Sequence, residues 1–303
     1  MTYNIYFYKT KLHNLMYKIS DTELIITEEK KIYHLDLAQN QISNDIILVG
    51  DPSRVDIIKK KFDKISYQHS HREFKTCIGE YKDKKITVIS TGIGTDNIDI
   101  VVNELDALVN IDFDTKTIKK IKKSLNIYRV GTSGAIHKST LLDSFVISKY
   151  AIGFDNLAHF YKNKRVLNNN LSKSFIKHTN WPIKFGRPYS VHASVELLNK
   201  FSNITTGITI TSPGFYAPQA RELRLKPSIK NLNNKLSTFK YSNHKILNFE
   251  METSALYFLG RTLNHNTITI CAILGNRSSN TYSENYSQTM SNLIDLVLEK
   301  ISN

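Results

Sequence analysis

The chain has 303 residues and a formal net charge of +14. Its length supports a large core, and no Pro/Gly/Ser-rich linker or repeat period divides it, so a single domain is expected. The charge raises nucleic acid or an anionic membrane surface as partners, but the basic runs are short (Lys59 to Lys61, and Lys119 to Lys123 broken by Ile121) and no nucleic-acid-binding motif accompanies them, so they read as solvated surface.

Residues 1–30 read as an N-terminal extension and 31–303 as the domain. Met1 to Lys18 is polar and aromatic without periodicity, and a second Met stands at position 16. The first fifteen residues are therefore expected to be a disordered extension or a misassigned start. They hold no apolar core of the kind a secretory signal needs, and no apolar run approaches the ~20 residues that span a bilayer. A soluble, cytoplasmic setting follows as the expectation.

Ile46 to Val49 is a short apolar strand ending at Gly50, and Asp51-Pro52-Ser53-Arg54 opens a helix, with Asp51 suited to cap it and Pro52 to its first turn. Glu73 to Tyr81 and Lys85 to Ser90 read as strands joined around Lys82-Asp83-Lys84. After the Thr91-Gly92-Ile93-Gly94 turn, Ile98, Val101, Val102, Leu105, Leu108 and Val109 recur at helical spacing. Ile127 to Val130 is a strand ending in a Gly131-Thr132-Ser133-Gly134 turn. Phe145 to Ser148 reads as a strand, His192 to Phe201 as a helix, and Ile204 to Thr211 as extended. Ser212 to Arg221 is a loop by its Pro and Gly content. Phe249 to Leu263 reads as an amphipathic helix, Thr267 to Leu274 as a buried strand, and Glu284 to Ile301 as a closing helix. Cys77 and Cys271 lie in apolar surroundings and read as two buried thiols. No Cys/His cluster has metal-ligand spacing, so no metal is expected. The alternation of strands and helices predicts an α/β fold, a mixed central sheet flanked by helices, with ligands beyond the carboxyl ends of strands.

Several segments carry possible chemistry, each beside a plainer reading. Gly50 lets an anion approach the backbone, the following helix N-terminus offers free N–H groups, and Arg54 adds a guanidinium fork; a turn with a surface arginine uses the same residues. Arg72, in His71-Arg72-Glu73-Phe74, is an anion ligand or part of a surface charge cluster. Arg129 inside a short strand calls for a partner or a ligand, and the Gly-Thr-Ser-Gly segment behind it reads as a phosphate cradle. That segment lacks the Gly-x-Ser-x-Gly spacing of a serine nucleophile elbow. Gln219 both donates and accepts, whereas Arg221 only donates, and together they match a pyrimidine edge; both also suit a solvated loop. Glu250 and Glu252 stand two apart and do not share a helix face. They read as helix-start caps, or Glu252 as an acceptor for two sugar hydroxyls with Met251 padding the sugar.

Taken in order, the segments GDPSRV, HREF, STGIG, RVGTSGAI, FYAPQAR, NFEMETSAL and NRS near Arg277 resemble the uridine-phosphorylase branch of the nucleoside phosphorylases. The resemblance runs from about Ile32 to the C-terminus. It implies a phosphate pocket of Gly50, Arg54, Arg129 and Thr132. Arg72 would be a phosphate ligand, and His34 in YHLDL a contact to the sugar 5′-hydroxyl, both reaching across a subunit interface. It gives the uracil edge to Gln219 and Arg221, the ribose to Glu250, Met251 and Glu252, and the base pocket to Leu274 and Arg277. It implies phosphorolysis of uridine or a related pyrimidine nucleoside, with inorganic phosphate as co-substrate, no cofactor, and assembly as dimers or hexamers with a shared active site. Asn110 to Asn126 and Tyr161 to Asn180 are longer than the pattern. A purine nucleoside phosphorylase of the same fold, a nucleosidase and a non-catalytic binding protein are the alternatives. An acid for purine N7 is lacking in Leu274-Gly275-Asn276-Arg277, and three phosphate arginines are superfluous in a hydrolase.

Overall fold

The computed structural model describes residues 18–162 and 165–303; the expectation for residues 1–15 lies outside them. Residues 18–30, assigned by sequence to the extension, lie against the body: Leu24 and Ile26 pack on its core, and Ile26 bridges Ile32.

The centre is a large mixed sheet. Strands β1 (Asp45–Val49), β4 (Lys84–Ser90), β7 (Asn126–Ala135) and β13 (Asn266–Asn276) run parallel to their neighbours in the order β4-β1-β7-β13. Their apolar residues feed both faces. Ile46 and Leu48 of β1 join one core cluster, and Ile47 and Val49 join another. A strand buried on both sides loses the polar alternation of a half-exposed one, which explains the continuous apolar run at 46–49. A second parallel set, β8 (Phe145–Gly153), β10 (Thr205–Thr211) and β12 (His244–Glu250), packs antiparallel against the first: β8 against β13, and β12 against β7. Both junctions together close β7, β13, β8, β10 and β12 into a barrel-like ring.

On the outer edge, β2 (Lys64–His71) and β3 (Phe74–Tyr81) extend the sheet antiparallel beyond β4. Lys82 and Asp83 both take positive φ, 50° and 61°, in the β3–β4 hairpin, the backbone that a tight two-residue turn requires. Shorter strands complete the sheet, β9 (Tyr189–His192) pairing with β8, β11 (Lys240–Tyr241) with β12, and β14 (Thr281–Tyr282) with β13, while β5 (Ile111–Asp112) and β6 (Thr117–Ile118) form a separate two-stranded sheet.

Helices α1 (Pro52–Lys59) and α7 (Tyr286–Ser302) cover one face of the first parallel set. Helices α2 (Thr95–Asn110) and α6 (Thr253–Thr262) pack together over the other face. Helices α3 (Asn169–Thr179) and α5 (Leu232–Thr238) cover the second set, and α4 (Val195–Lys200) is a short link. Cys77 and Cys271 are buried free thiols. No described helix is long and apolar enough to cross a membrane.

Three sequence expectations need correction. The Gly131-Thr132-Ser133-Gly134 segment is strand, not turn, because β13 from Cys271 and β12 at Phe249 pair along it. The expected helix at 249–263 is divided: Phe249 and Glu250 end β12, and the helix begins at Thr253. The expected helix at 192–201 shrinks to 195–200, because His192 pairs with Tyr150 in the sheet.

Candidate active site

A cavity of about 740 Å³ opens at the seam where the two strand sets meet. The antiparallel pairing of β12 with β7 explains its composition. Phe249 faces Gly134 and Asn248 faces Ala135, so each step forward from Phe249 is a step back along β7. Glu250, Met251 and Glu252 are thereby carried towards Arg129, 123 positions away from Glu252 in sequence. The site therefore lies along a seam, rather than only beyond the carboxyl ends of one parallel set.

At one end stand the cationic groups. Arg54 is on α1, whose N-cap Asp51 accepts a hydrogen bond from the Ser53 N–H at 2.8 Å. Arg54 is buried. It donates Nη1–H to the Val130 carbonyl at 3.2 Å, and its Nε is without a partner. Arg129 on β7 is 4% exposed. Its Nη2 donates to Glu252, and its Nε and Nη1 have no hydrogen-bond partner. Buried guanidinium N–H groups left open are costly, and both arginines line the cavity. Gly50, just after β1, lines this wall; a Cβ there would be in ordinary contact with the Gly92 carbonyl oxygen at 3.4 Å and with Arg129 Nη2 at 3.9 Å. Thr132 lines the same wall.

The carboxylates are placed differently from one another. Glu250 Oε1 accepts from Thr211 Oγ1 at 2.5 Å, and Oε2 from the N–H groups of Glu252 and Thr253 at 2.8 and 2.9 Å. Glu250 thus caps the start of α6, while Glu252, at the cap position itself, turns its side chain elsewhere. Glu252 Oε1 accepts from the Gly94 N–H at 2.9 Å, and Oε2 from Arg129. Gly94, with φ of 104°, and Gly92, with φ of 69°, make the turn that aims this N–H; a Cβ on Gly92 would meet Asn97 Nδ2 at 2.6 Å. Burial pushes the Glu250 carboxyl up to about 7, the neighbouring Glu252 adds to the rise, and Arg129 opposes it. Burial would lower the Arg129 guanidinium, but Glu252 and Glu250 outweigh it, so its value is raised.

The other end holds a second polar pair. Gln219 closes a 3₁₀ turn at Ala217–Gln219 and is buried. Arg221 donates through Nη1 to Gln219 Oε1 at 2.5 Å and to the Phe215 carbonyl at 2.6 Å, and its guanidinium carbon lies 3.6 Å from the centre of the Phe215 ring. Phe249, Met251, Leu274, Gly275 and Phe215 give this region apolar walls. Burial lowers the Arg221 guanidinium.

Among the sequence candidates, Gly50, Arg54, Arg129, Thr132, Gln219, Arg221, Glu250, Met251, Glu252 and Leu274 share the cavity. Arg277 lies outside its wall, in an adjoining polar recess that shares Gly134, Arg221 and Gly275 with it. It donates to the Gln219 carbonyl and to Asn233 Oδ1, at 3.3 Å for the latter. Burial and then the charge of Arg221 push it down to about 10. His34 and Arg72 do not line the cavity. Arg72 sits in the β2–β3 turn with φ of 55°, its guanidinium over the Tyr33 ring. The residues that sequence reading assigned no role here are Phe215, Phe249 and Ile93 in the wall, and the Gly94 N–H that holds Glu252. All lie inside segments already singled out (FYAPQAR, NFEMETSAL and STGIG), but an apolar wall leaves no distinctive spacing.

Residues 45–302 match the model of the phosphorylase superfamily, and the chain belongs to that family, among the nucleoside phosphorylases, which are pentosyltransferases. It is similar to a uridine phosphorylase of Thermococcus kodakarensis, 26% identical over 268 residues that cover 85% of this chain and 82% of that one. It is also similar to a DeoD-type purine nucleoside phosphorylase of Bacillus cytotoxicus, 24% identical over 277 residues, with 88% and 97% covered. Among solved structures, a Trypanosoma brucei nucleoside phosphorylase, described as showing uridine phosphorylase activity, superposes with a TM-score of 0.84 at 26% identity, covering 92% of this chain and 99% of that one.

Proposed function

We propose that the protein splits uridine, or a close pyrimidine nucleoside, with inorganic phosphate, giving the free base and ribose 1-phosphate. The observation that carries this reading is the pair of buried arginines, Arg54 and Arg129, which line one cavity together with the Gln219–Arg221 pair. The arginines suit a phosphate dianion, since guanidinium forks match its oxygens. Glu252 is placed to accept from ribose hydroxyls beside the phosphate. Gln219 and Arg221 suit the carbonyl edge of a pyrimidine, with Leu274 against the base. In this reading His34 and Arg72, which lie off the cavity wall, serve the 5′-hydroxyl and phosphate of a neighbouring subunit's site.

The chemistry needs no protein nucleophile. As the glycosidic bond stretches, C1′ gains positive charge. A phosphate held by Arg54 and Arg129 beneath C1′ stabilises that charge and then bonds to it; fixing the two reactants together can contribute about 7–11 kcal/mol. The bonding electrons leave with the base, and the N–H groups of Arg221 and Gln219 stabilise the resulting anion. The strand end at Leu274-Gly275 presents no carboxylic acid to a purine N7, which favours a pyrimidine over a purine substrate. Water as nucleophile would give the cationic wall formed by Arg54 and Arg129 no anion to hold, which weighs against a nucleosidase.

The test is base release from uridine, thymidine and inosine, each with and without phosphate. Uracil released only with phosphate, and inosine left intact, is the expected result. Cleavage of inosine would move the enzyme to purines and overturn the role given to Gln219 and Arg221. Release without phosphate would make it a nucleosidase.

A further inference from the structure

Away from the cavity, His34 is held by a carboxylate that has no place in the site described so far. Glu104, on α2 and 9% exposed, turns both oxygens onto the His34–Leu35 segment. Its Oε1 accepts from the His34 N–H at 3.1 Å and stands 2.6 Å from His34 Nδ1; its Oε2 accepts from the Leu35 N–H at 2.8 Å. The backbone of the same segment is pinned a third time, by His71 Nδ1–H donating to the His34 carbonyl at 2.9 Å. The Tyr33 ring lies edge-on to the imidazole at 4.9 Å between centres. Tyr33 also receives the Arg72 guanidinium, through its ring and through its hydroxyl at 3.3 Å. The imidazole is therefore fixed in position as well as in plane, while its side chain stays 30% exposed.

We propose that Glu104 is a positioning residue for the reaction, holding the His34 ring through Nδ1–H so that Nε2 is presented as the hydrogen-bonding atom for a nucleoside 5′-hydroxyl, as an acceptor when the ring is neutral. The inference rests on the reading of His34 given above. A carboxylate accepts only, so the ring nitrogen 2.6 Å from it must be the donor. The neutral imidazole then has one nitrogen left, and that one accepts. Among the described residues none hydrogen-bonds Nε2, so the acceptor is available to a ligand. The same carboxylate ties the two backbone N–H groups that carry the ring, so aim and tautomer are set together. Orienting carboxylates of this kind act through the histidine they hold, and not by touching substrate.

Two measurements test this. The first is independent of activity: ¹⁵N shifts of the His34 ring in histidine-labelled protein at pH 8, assigned by their loss in His34→Ala. The Nδ1–H form is expected, and a dominant Nε2–H form would overturn the proposal. The second compares uridine with 5′-deoxyuridine in Glu104→Gln. Glutamine keeps the shape and an acceptor for Leu35, but its amide can donate to Nδ1 and reverse the tautomer. Loss of about one hydrogen bond predicts a roughly tenfold fall in kcat/KM for uridine, with 5′-deoxyuridine changed less than about twofold because it has no hydroxyl for His34 to hold. An equal fall on both substrates would make Glu104 merely structural and overturn the proposal while leaving the phosphorylase reading intact. A wild-type enzyme that cleaves neither nucleoside would overturn both.

Discussion

Glu250 Oε2 stands 3.9 Å from Arg129 Nε, near enough to feel its charge and too far for a hydrogen bond. Its hydrogen bonds go instead to Thr211 and to the first N–H groups of α6. Glu252 occupies the arginine directly. Two buried carboxylates thus share one guanidinium, and the one held further off is the one whose carboxyl rises to about 7, through burial first and Glu252 second.

That rise fixes the sign of a stability effect. A carboxyl whose folded value lies above its unfolded one favours the fold in its protonated form, and the benefit is lost as pH climbs through the folded value. Relative to Glu250→Gln, the wild type should lose stability between about pH 5 and pH 8, by on the order of 1–3 kcal/mol. Thermal melts of both proteins across that range check this. Parallel curves would show that Glu250 is already ionised throughout.

The same crowding couples phosphate to protons. A phosphate dianion arriving at Arg129 adds negative charge beside Glu250 and should draw a proton onto it near pH 7. Titration calorimetry of phosphate in two buffers of different ionisation enthalpy should report proton uptake at the protein in the wild type, and less in Glu250→Gln. Equal apparent enthalpies in both buffers would rule the coupling out.

Arg54 and Arg129 should separate in their effects. Among the described residues the Arg54 side chain makes one hydrogen bond, at 3.2 Å, so Arg54→Ala should weaken phosphate binding about 10- to 100-fold, the loss of a charge-assisted contact, with little change in melting temperature. Arg129→Ala leaves Glu250 and Glu252 buried without their cation and should cost about 3–5 kcal/mol of stability. Adding Glu252→Gln to Arg129→Ala should recover part of that loss. Melting temperatures with and without phosphate distinguish these outcomes, and an Arg129→Ala protein as stable as wild type would refute the pairing.

At the other end, Arg221→Ala removes a group whose protein contacts are to Gln219, Phe215 and the Phe215 ring. Turnover of uridine should fall by about 10²–10³, with melting temperature nearly unchanged. Near-normal turnover in the folded variant would remove Arg221 from the chemistry. For the ribose contact, Glu252→Gln is the cleaner probe than Glu252→Ala, because Ala also strips Arg129 and the Gly94 N–H of their acceptor. Uridine affinity should drop in Glu252→Gln, and an unchanged value would refute the assignment.

The pocket was legible in the sequence because its residues fall in short local strings: Gly50 to Arg54, Arg129 to Thr132, Gln219 to Arg221 and Glu250 to Glu252. What failed was the shape of some of those strings. Gly131-Thr132-Ser133-Gly134 has the composition of a turn, and only pairing with β13 and β12, more than 100 positions away, makes it strand. The strand β2 escaped notice because its alternating positions are largely exposed on a sheet edge, leaving no apolar rhythm. The partnership of His34 with Glu104 spans 70 positions. A lone Glu in the middle of a well-patterned helix gives no sign that its carboxylate is turned inward.

The closure of β12 onto β7 sets a division of labour. Arg129, Thr132 and Glu250 are carried by members of one hydrogen-bonded ring, and no single member can shift without dragging its neighbours on both sides. Gln219 and Arg221 hang instead from a connecting segment outside that ring, whose following residues Leu223 and Leu225 stand in solvent. On the reading proposed above, the phosphate contacts of Arg129 and Thr132 belong to the stiff frame and the base contacts to a connecting segment, so a change in the nucleobase accepted would not require that frame to be rebuilt.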